Sequence, residues 1–393
     1  MLSPESAAVV RATLPAVEPA LDRITARFYE TMFAERPELL DGLFNRGNQA
    51  SGEQRRALAG SIAAFARMLL DDAGGERADA LLSRIAHKHA AVGVTDSQYV
   101  VVYKYLFGAI QDVLGDALTP EAAAAWDEVY WLMAARLIAL EARLYAAAGA
   151  RDGRTWRRWR IVERREETPD VVSLVLRPLG EGPPPPALPG QYVSVRMRMP
   201  DGVHQLRQYT LSGHGLDGTR RITVKRVRGV RDGEVSSLLH ATAAVGDELT
   251  LSAPFGDVTL DDGDGPLVLV SAGIGCTPIV AMLEHLASAG SRRRVLVLHA
   301  DVSRDEHALR TDMEALTDAL PHAEHVFWYE QGGHGRAGRM DLTGVALPEG
   351  ATAYLCGPLP FMRHAREQLV AGGIAARDIH YEVFGSDLWL VRA

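Results

Sequence analysis

The chain has 393 residues, of which 47% are hydrophobic and 23% charged; these proportions exclude a disordered, collagenous or coiled-coil protein, and the length calls for two or three cores. With 50 Asp and Glu against 42 Lys and Arg the formal net charge is -8, so no global basic field exists to hold nucleic acid. Two cysteines, Cys276 and Cys356, form neither a disulfide framework nor a thiolate metal site, and the expectation is a reducing, cytoplasmic setting.

Ser3-Pro4-Glu5 reads as an N-cap, an N1 proline and a first-turn acid opening a helix, where a signal peptide would carry a basic and then an apolar region. The apolar spacing stays helical to about residue 148: Leu14, Val17, Leu21, Ile24 and Phe28 form one stripe, and Leu58, Ile62, Phe65 and Leu69 another. Ser51-x-x-Gln54 has the pattern of a capping box, which gives the Gln54 amide an ordinary structural use. Thr95-x-x-Gln98 repeats that pattern before Tyr99, Val102, Leu106 and Ile110, and Thr119-Pro120-Glu121 opens a last helix.

After Gly149 the composition changes. Arg151, Arg154, Arg157, Arg158 and Arg160 crowd a short Trp-containing segment that reads as a domain boundary, and then the period falls to two. Val171 to Leu176, Tyr192 to Met197 and Ile222 to Val227 are β-rich runs parted by Gly and Pro clusters, which suits a small antiparallel barrel. From Pro266 strands (Leu267–Val270, Val295–His299, His325–Tyr329, Thr352–Leu355) alternate with helical stretches, as in a parallel α/β sheet. The expected division is 1–148, all-α; 149–263, antiparallel β-barrel; 264–393, α/β. The longest uncharged stretch, Leu267 to Leu283, is broken by Gly273, Gly275 and Pro278, so the expectation is a soluble protein without stable membrane association.

Gly273-Ile274-Gly275-Cys276-Thr277-Pro278 follows a strand and opens a helix, where backbone amides can approach a pyrophosphate. Cys356-Gly357-Pro358 ends a later strand, the position where open parallel sheets bind ligands, although Cys356 by itself reads as a small buried hydrophobe. In the barrel, Arg207, Tyr209 and Leu211 alternate with Gln208, Thr210 and Ser212, so an arginine and a tyrosine share one face, suited to a phosphate and a planar ring. Arg-x-Tyr-Thr-x-Ser, then Gly233-Glu234-Val235-Ser236, then the two C-terminal motifs, in that order, resemble the ferredoxin-NADP reductase superfamily. The resemblance implies FAD in the barrel and NADH or NADPH in the α/β domain. It implies cofactor contacts at Tyr192, Arg207, Gln208, Tyr209, Thr210, Gly233, Val235 and Ser236, and at 273–278, Cys356 and Gly357.

The helical half has its own signal. His87 and His89 lie about 200° apart on a helix and cannot share a face. His89 lies four residues from Ile85 and seven from Leu82, on the apolar side, where a lone His is as a rule a packed core residue. The last helix carries Trp126, Tyr130, Met133, Leu137, Glu141 and Leu144 on one face, and a carboxylate amid apolar residues needs a partner. A metal-ligating His wants an acceptor for its second ring N–H, and Glu141 with Tyr99 suits that need.

Together these features resemble a globin, with Tyr29 as distal tyrosine, Phe44 packing on haem, Gln54 and Leu58 on the distal helix and His89 as proximal iron ligand. Globin and reductase together resemble a flavohaemoglobin of the nitric oxide dioxygenase type over essentially the whole chain. That resemblance implies a monomer with b-type haem, FAD and NADH or NADPH that converts nitric oxide and O₂ to nitrate. It further implies that His89, Tyr99 and Glu141 form a charge relay, that Lys88 tunes the haem, and that Glu382, Val383, Phe384 and Gly385 reach the flavin. The chain departs from the family pattern at its tail, Ser386-Asp387-Leu388-Trp389, and at Cys276, where glutamine is usual. The same cofactors also suit a ferric, quinone or hydroperoxide reductase, or an O₂-binding globin that reduces itself.

Overall fold

A computed structural model describes residues 2–41, 44, 52–71, 75–150, 153–215, 218–228 and 232–385, without the side chains of residues 53–55, 76 and 214. Two compact units emerge: Met1–Trp156 with Arg196–Arg207, and Arg157–Val195 with Gln208–Gly385. Among the described residues no helix is long and apolar enough to cross a membrane.

In the first unit α1 (Pro4–Val17) starts where the Ser3 hydroxyl accepts the Ser6 N–H, as the Ser-Pro-Glu opening requires. The stripe from Leu14 to Phe28 is two helices. A 3₁₀ turn, Glu18–Ala20, separates α1 from α2 (Leu21–Glu35) because Pro19 has no N–H to continue the ladder. Next come α3 (Glu53–Leu70), α4 (Gly75–Val92), α5 (Asp96–Leu114) and α6 (Pro120–Ala147). The start of α3 corrects the capping-box reading of Gln54: the cap is Gly52, at φ 71°, and the helix begins at Glu53, one residue before Gln54. For α5 the capping box forms, with Gln98 Oε1 accepting the Thr95 N–H at 2.9 Å. The apolar faces meet in two clusters, one around Phe65, Leu82 and Trp126 and one around Ile24, Phe28 and Met32; half-buried Ile62 and Tyr130 pack against both.

From Arg157 on, β1 (Arg157–Thr168), β2 (Val171–Pro178), β3 (Tyr192–Arg198), β4 (His204–His214), β5 (Arg220–Lys225) and β6 (Glu248–Leu251) close a barrel in the order β1-β2-β5-β4-β3-β6. The division between the two units falls inside the arginine-rich segment, between Trp156 and Arg157, and Arg157, Arg158 and Arg160 are already strand. Trp159 and Ile161 turn inward, while Arg158 and Arg160 alternate outward and pair with Glu248 on β6 at 3.1 and 3.0 Å. Around β4, Leu211 is buried opposite Ile222, while Ser173, Thr223 and Ser212 form a hydroxyl ladder across β2, β5 and β4 (2.9 and 2.8 Å). Both faces of β4 are thus buried at this level, because a Cβ on Gly213 would already stand 2.8 Å from the carboxylate of Glu284.

Strands β7 (Leu267–Ala272), β8 (Val295–Asp301), β9 (Ala323–Tyr329), β10 (Arg336–Ala337), β11 (Thr352–Cys356) and β12 (Ile379–Glu382) form a parallel sheet ordered β10-β9-β8-β7-β11-β12. The chain first builds outward from β7 through β10 and then returns to the other side of β7. The order therefore reverses between β7 and β11, and open α/β sheets bind ligands at such a switch point, beyond the carboxyl ends of the strands.

Candidate functional site

His89 lies in the last turn of α4, Tyr99 in the first turn of α5 and Glu141 in the C-terminal part of α6, where it is only 2% exposed. The structure brings the three together. His89 Nδ1 stands 2.8 Å from Glu141 Oε1 and 3.0 Å from the Tyr99 hydroxyl, and that hydroxyl donates to the same Oε1 at 2.5 Å. A carboxylate only accepts, so both the Nδ1–H and the phenol O–H point at it. The tautomer follows: the proton sits on Nδ1 and the lone pair on Nε2. Nε2 makes no hydrogen bond among the described residues, and the ring is half-exposed. Burial, reinforced by the Glu141 charge, holds the Tyr99 phenol well above its ordinary pKa, so it stays a donor.

Two further tyrosines fix this triangle. Tyr130 donates to the Tyr99 carbonyl at 2.6 Å, and Tyr145 to the Val94 carbonyl at 2.6 Å, which pins the α4–α5 corner to α6. Lys88 and His87 are half-buried beside His89.

Tyr29 on α2 is buried, with Phe33 stacked at 5.5 Å and Phe44 edge-on at 6.0 Å between ring centroids. Leu58 packs against the same cluster. The Tyr29 hydroxyl finds no hydrogen-bond partner among the described residues, and burial raises its pKa, so it remains an O–H donor. The Gln54 side chain lies outside the described residues.

In the barrel, Tyr192 is buried with its ring against Gly256, at φ +132°, where a Cβ would come within 3.3 Å. Arg207 is half-buried with Nη1 donating to the Leu206 carbonyl at 2.7 Å, Tyr209 is half-buried and Gln208 exposed. Thr210 is 4% exposed and its Oγ1 has no hydrogen-bond partner among the described residues. A buried orphan hydroxyl is costly, and a ligand atom would satisfy it. Gly233 caps α7 (Glu234–Thr242); a Cβ there would stand 2.6 Å from Ser236 Oγ, which itself accepts the Val227 N–H at 3.2 Å. Val235 beside it is fully buried.

At the sheet's switch point the two C-terminal motifs touch. Gly273 adopts φ +54°, and a Cβ on Gly275 would meet the Cys356 carbonyl oxygen at 2.4 Å and the Gly357 nitrogen at 2.8 Å. The turn opens α8 (Cys276–Ser288), with Thr277 Oγ1 donating to the Ile274 carbonyl at 3.1 Å and Pro278 in the first turn, where no N–H is needed. The α8 amides that remain are suited to an anion. Cys276 and Cys356 are both buried, and burial pushes both thiols up. Glu382 ends β12 in register with Cys356 and is buried, Val383 is half-buried, and Phe384 and Gly385 are exposed. Residues 386–389 lie outside the described residues.

Sequence reading missed a polar cluster at the carboxyl ends of β7 to β9: Ser271 Oγ and His299 Nδ1 are 2.8 Å apart, His299 stacks on His307 at 3.8 Å, and His307 Nδ1 is 2.9 Å from the Tyr329 hydroxyl. A signal was present in Ser271 and His299 ending otherwise apolar strands.

The Globin family model matches residues 26–137, and the Oxidoreductase NAD-binding domain model matches residues 269–367. A flavohemoprotein of Bordetella pertussis is 42% identical over 403 residues, covering 98% of this chain and 99% of that one. A crystal structure of flavohemoglobin from Malassezia yamatoensis with bound FAD and heme is 41% identical, covers 98% of this chain and 100% of that one, and superimposes with a TM-score of 0.91. The FAD/NAD binding domain of nitric oxide dioxygenase from Vibrio cholerae is 35% identical over 58% of this chain and 98% of its own length, with a TM-score of 0.56.

Proposed function

The chain belongs to the flavohaemoprotein family, and from that premise we propose that it oxidises nitric oxide with dioxygen to nitrate, using NADH or NADPH as reductant. The proposal includes the three-part division at residues 148/149 and 263/264, a monomeric state and a cytoplasmic setting. When bound, b-type haem, FAD and the nicotinamide supply the redox chemistry: hydride uptake, its division into single electrons, and reaction of O₂ with nitric oxide at iron.

His89 holds the iron through Nε2. Glu141 takes the Nδ1–H and so makes the imidazole a stronger donor, while Tyr99 steadies the carboxylate with its own O–H. Tyr29, with Gln54, would offer a hydrogen bond to dioxygen, Phe44 and Leu58 would keep water from that side, and Lys88 would add positive charge near the haem. In the barrel Arg207 would take a flavin phosphate, Tyr192 and Tyr209 would pack on its rings, and Gln208, Thr210 and the Gly233–Ser236 cap would donate to it. The 273–278 turn takes the nicotinamide dinucleotide's pyrophosphate beside Cys356 and Gly357, and Glu382 to Gly385 face the flavin.

The observation that supports the reading most strongly is that His89 Nδ1 stands 2.8 Å from the buried Glu141 carboxylate, which leaves Nε2 as the ring nitrogen without a hydrogen-bond partner among the described residues. His89→Ala tests it. The variant is expected to lose haem and nitric oxide consumption while keeping FAD and NADH-driven dye reduction. Full haem content with a five-coordinate histidine spectrum would assign the iron to another residue, such as His87.

A further inference from the structure

The α5–α6 face beyond Tyr99 holds a group of oxidisable rings that the proposed reaction does not use. Tyr99 stands 6.1 Å, ring to ring, from His89. Tyr130, tied to the Tyr99 carbonyl by its hydroxyl, continues outward to Trp131 at 5.2 Å and to Tyr103 at 5.4 Å, and Tyr103 and Trp131 are 5.2 Å apart. Trp131 is 36% exposed, so the series ends at solvent. The outer ring centroids, 5.2–5.4 Å apart, are close enough for electron tunnelling, and the 2.6 Å hydrogen bond joins Tyr130 to the Tyr99 backbone.

The hydrogen bonds sort these rings into relays and end points. A phenol gives up an electron readily only when its proton has somewhere to go. Tyr130 donates to a backbone carbonyl, which is no base, so it holds no oxidising equivalent itself and serves as a tunnelling bridge. Tyr103 donates to the Asp127 carboxylate at 2.6 Å, which can take the proton, and tryptophan can be oxidised without losing one. By the same rule Tyr99, whose hydroxyl donates to the Glu141 carboxylate at 2.5 Å, is the first stop, and Tyr103 and Trp131, at the solvent end, are the last places where an oxidising equivalent comes to rest.

We propose that Tyr99, Tyr130, Tyr103 and Trp131 form a path that carries oxidising equivalents from the His89 side of the haem to the protein surface when a hydroperoxide reacts there without NADH. The inference rests on the reading of His89 as iron ligand. Reduction of the hydroperoxide, ROOH + 2 e⁻ + 2 H⁺ → ROH + H₂O, withdraws two electrons. One comes from the haem and the other along the path from Tyr103, whose proton passes to Asp127, or from Trp131. The radical left at the surface and the haem, each one electron short, are then each reduced by one electron from an external thiol or ascorbate-type donor.

The test uses the full chain loaded with haem and oxidised FAD, without NADH, treated with hydrogen peroxide and a nitrone spin trap. Peptide mapping locates the adducts and the Soret band reports haem bleaching. Adducts are expected at Tyr103 and Trp131. Tyr103→Phe should leave only Trp131 labelled, and Asp127→Asn, which still accepts a hydrogen bond but takes no proton, should lose the Tyr103 adduct alone. The Tyr103→Phe/Trp131→Phe pair should lose both and bleach several-fold faster. Parent-level haem spectra and aerobic nitric oxide consumption in these variants establish folding. Adducts confined to other residues, or equal bleaching in the double variant, would reduce the rings to packing. A Soret band that is absent, or that survives His89→Ala, overturns the iron-ligand reading and the path together.

Discussion

Replacing Glu141 with glutamine keeps the outline of a buried side chain and removes its charge. Two donors, His89 Nδ1–H at 2.8 Å and the Tyr99 hydroxyl at 2.5 Å, converge on one oxygen. Hydrogen bonds to a charged acceptor contribute about 1.5–3 kcal/mol against about 0.5–1.5 for neutral pairs, so the two bonds together lose about 2–3 kcal/mol. Relief from burying a carboxylate that is 2% exposed offsets part of that loss. A net weakening of about 1–2 kcal/mol in the hold on the imidazole remains, and at about 1.4 kcal/mol per factor of ten this predicts nitric oxide consumption about five- to thirty-fold slower. Haem content, measured as the pyridine haemochrome, should stay at the parent level, because the ring keeps an acceptor. Glu141→Ala should behave differently: it orphans two buried donors at about 1–3 kcal/mol each and should release haem and lower the melting temperature. Equal turnover and an unchanged ferrous spectrum in Glu141→Gln would refute the reasoning and leave Glu141 a buried structural acid.

Tyr29→Phe removes one hydroxyl and almost no volume; loss of a hydrogen bond of about 1–3 kcal/mol to partly charged dioxygen should speed O₂ release about five- to a hundred-fold in flash photolysis, with anaerobic dye reduction unchanged. Arg207→Ala should weaken FAD binding about ten- to a hundred-fold, through a lost charge-assisted contact of about 1.5–3 kcal/mol, as read by flavin fluorescence titration. Gly275→Ala sets a methyl 2.4 Å from the Cys356 carbonyl, a backbone atom that cannot swing aside. The shift it forces should cost about 1–3 kcal/mol and raise the KM for NADH while haem and FAD content hold.

The sequence carried the helical half well wherever one face had to be apolar. Glu141 betrayed its pairing by standing in the Trp126-to-Leu144 stripe, since a carboxylate there must find donors, and His89 and Tyr99 were the donors within helical register. The break at Pro19 stayed hidden because a 3₁₀ turn of three residues barely disturbs the phase of the stripe around it. The Gln54 cap was misread because many Ser-x-x-Gln stretches fit the pattern, while the left-handed Gly52 that starts the helix leaves no separate mark. Other contacts between distant elements left no such mark in the sequence. Tyr130 reaching the Tyr99 carbonyl depends on how α5 crosses α6, and Gly275 packing on Cys356 depends on β7 lying beside β11. Alternation in β4 gave the two faces but not their burial, because Glu284 covers the outer one.

The central claim is tested most directly by product analysis. The full chain with haem and FAD, given NADH in air, is challenged with nitric oxide while an electrode follows its disappearance and ion chromatography identifies the nitrogen product. The account predicts rapid loss of nitric oxide, nitrate as the product, and loss of the reaction in His89→Ala although dye reduction continues. Persistence of nitric oxide alongside brisk reduction of ferric chelates or quinones, or consumption that survives His89→Ala, would contradict it.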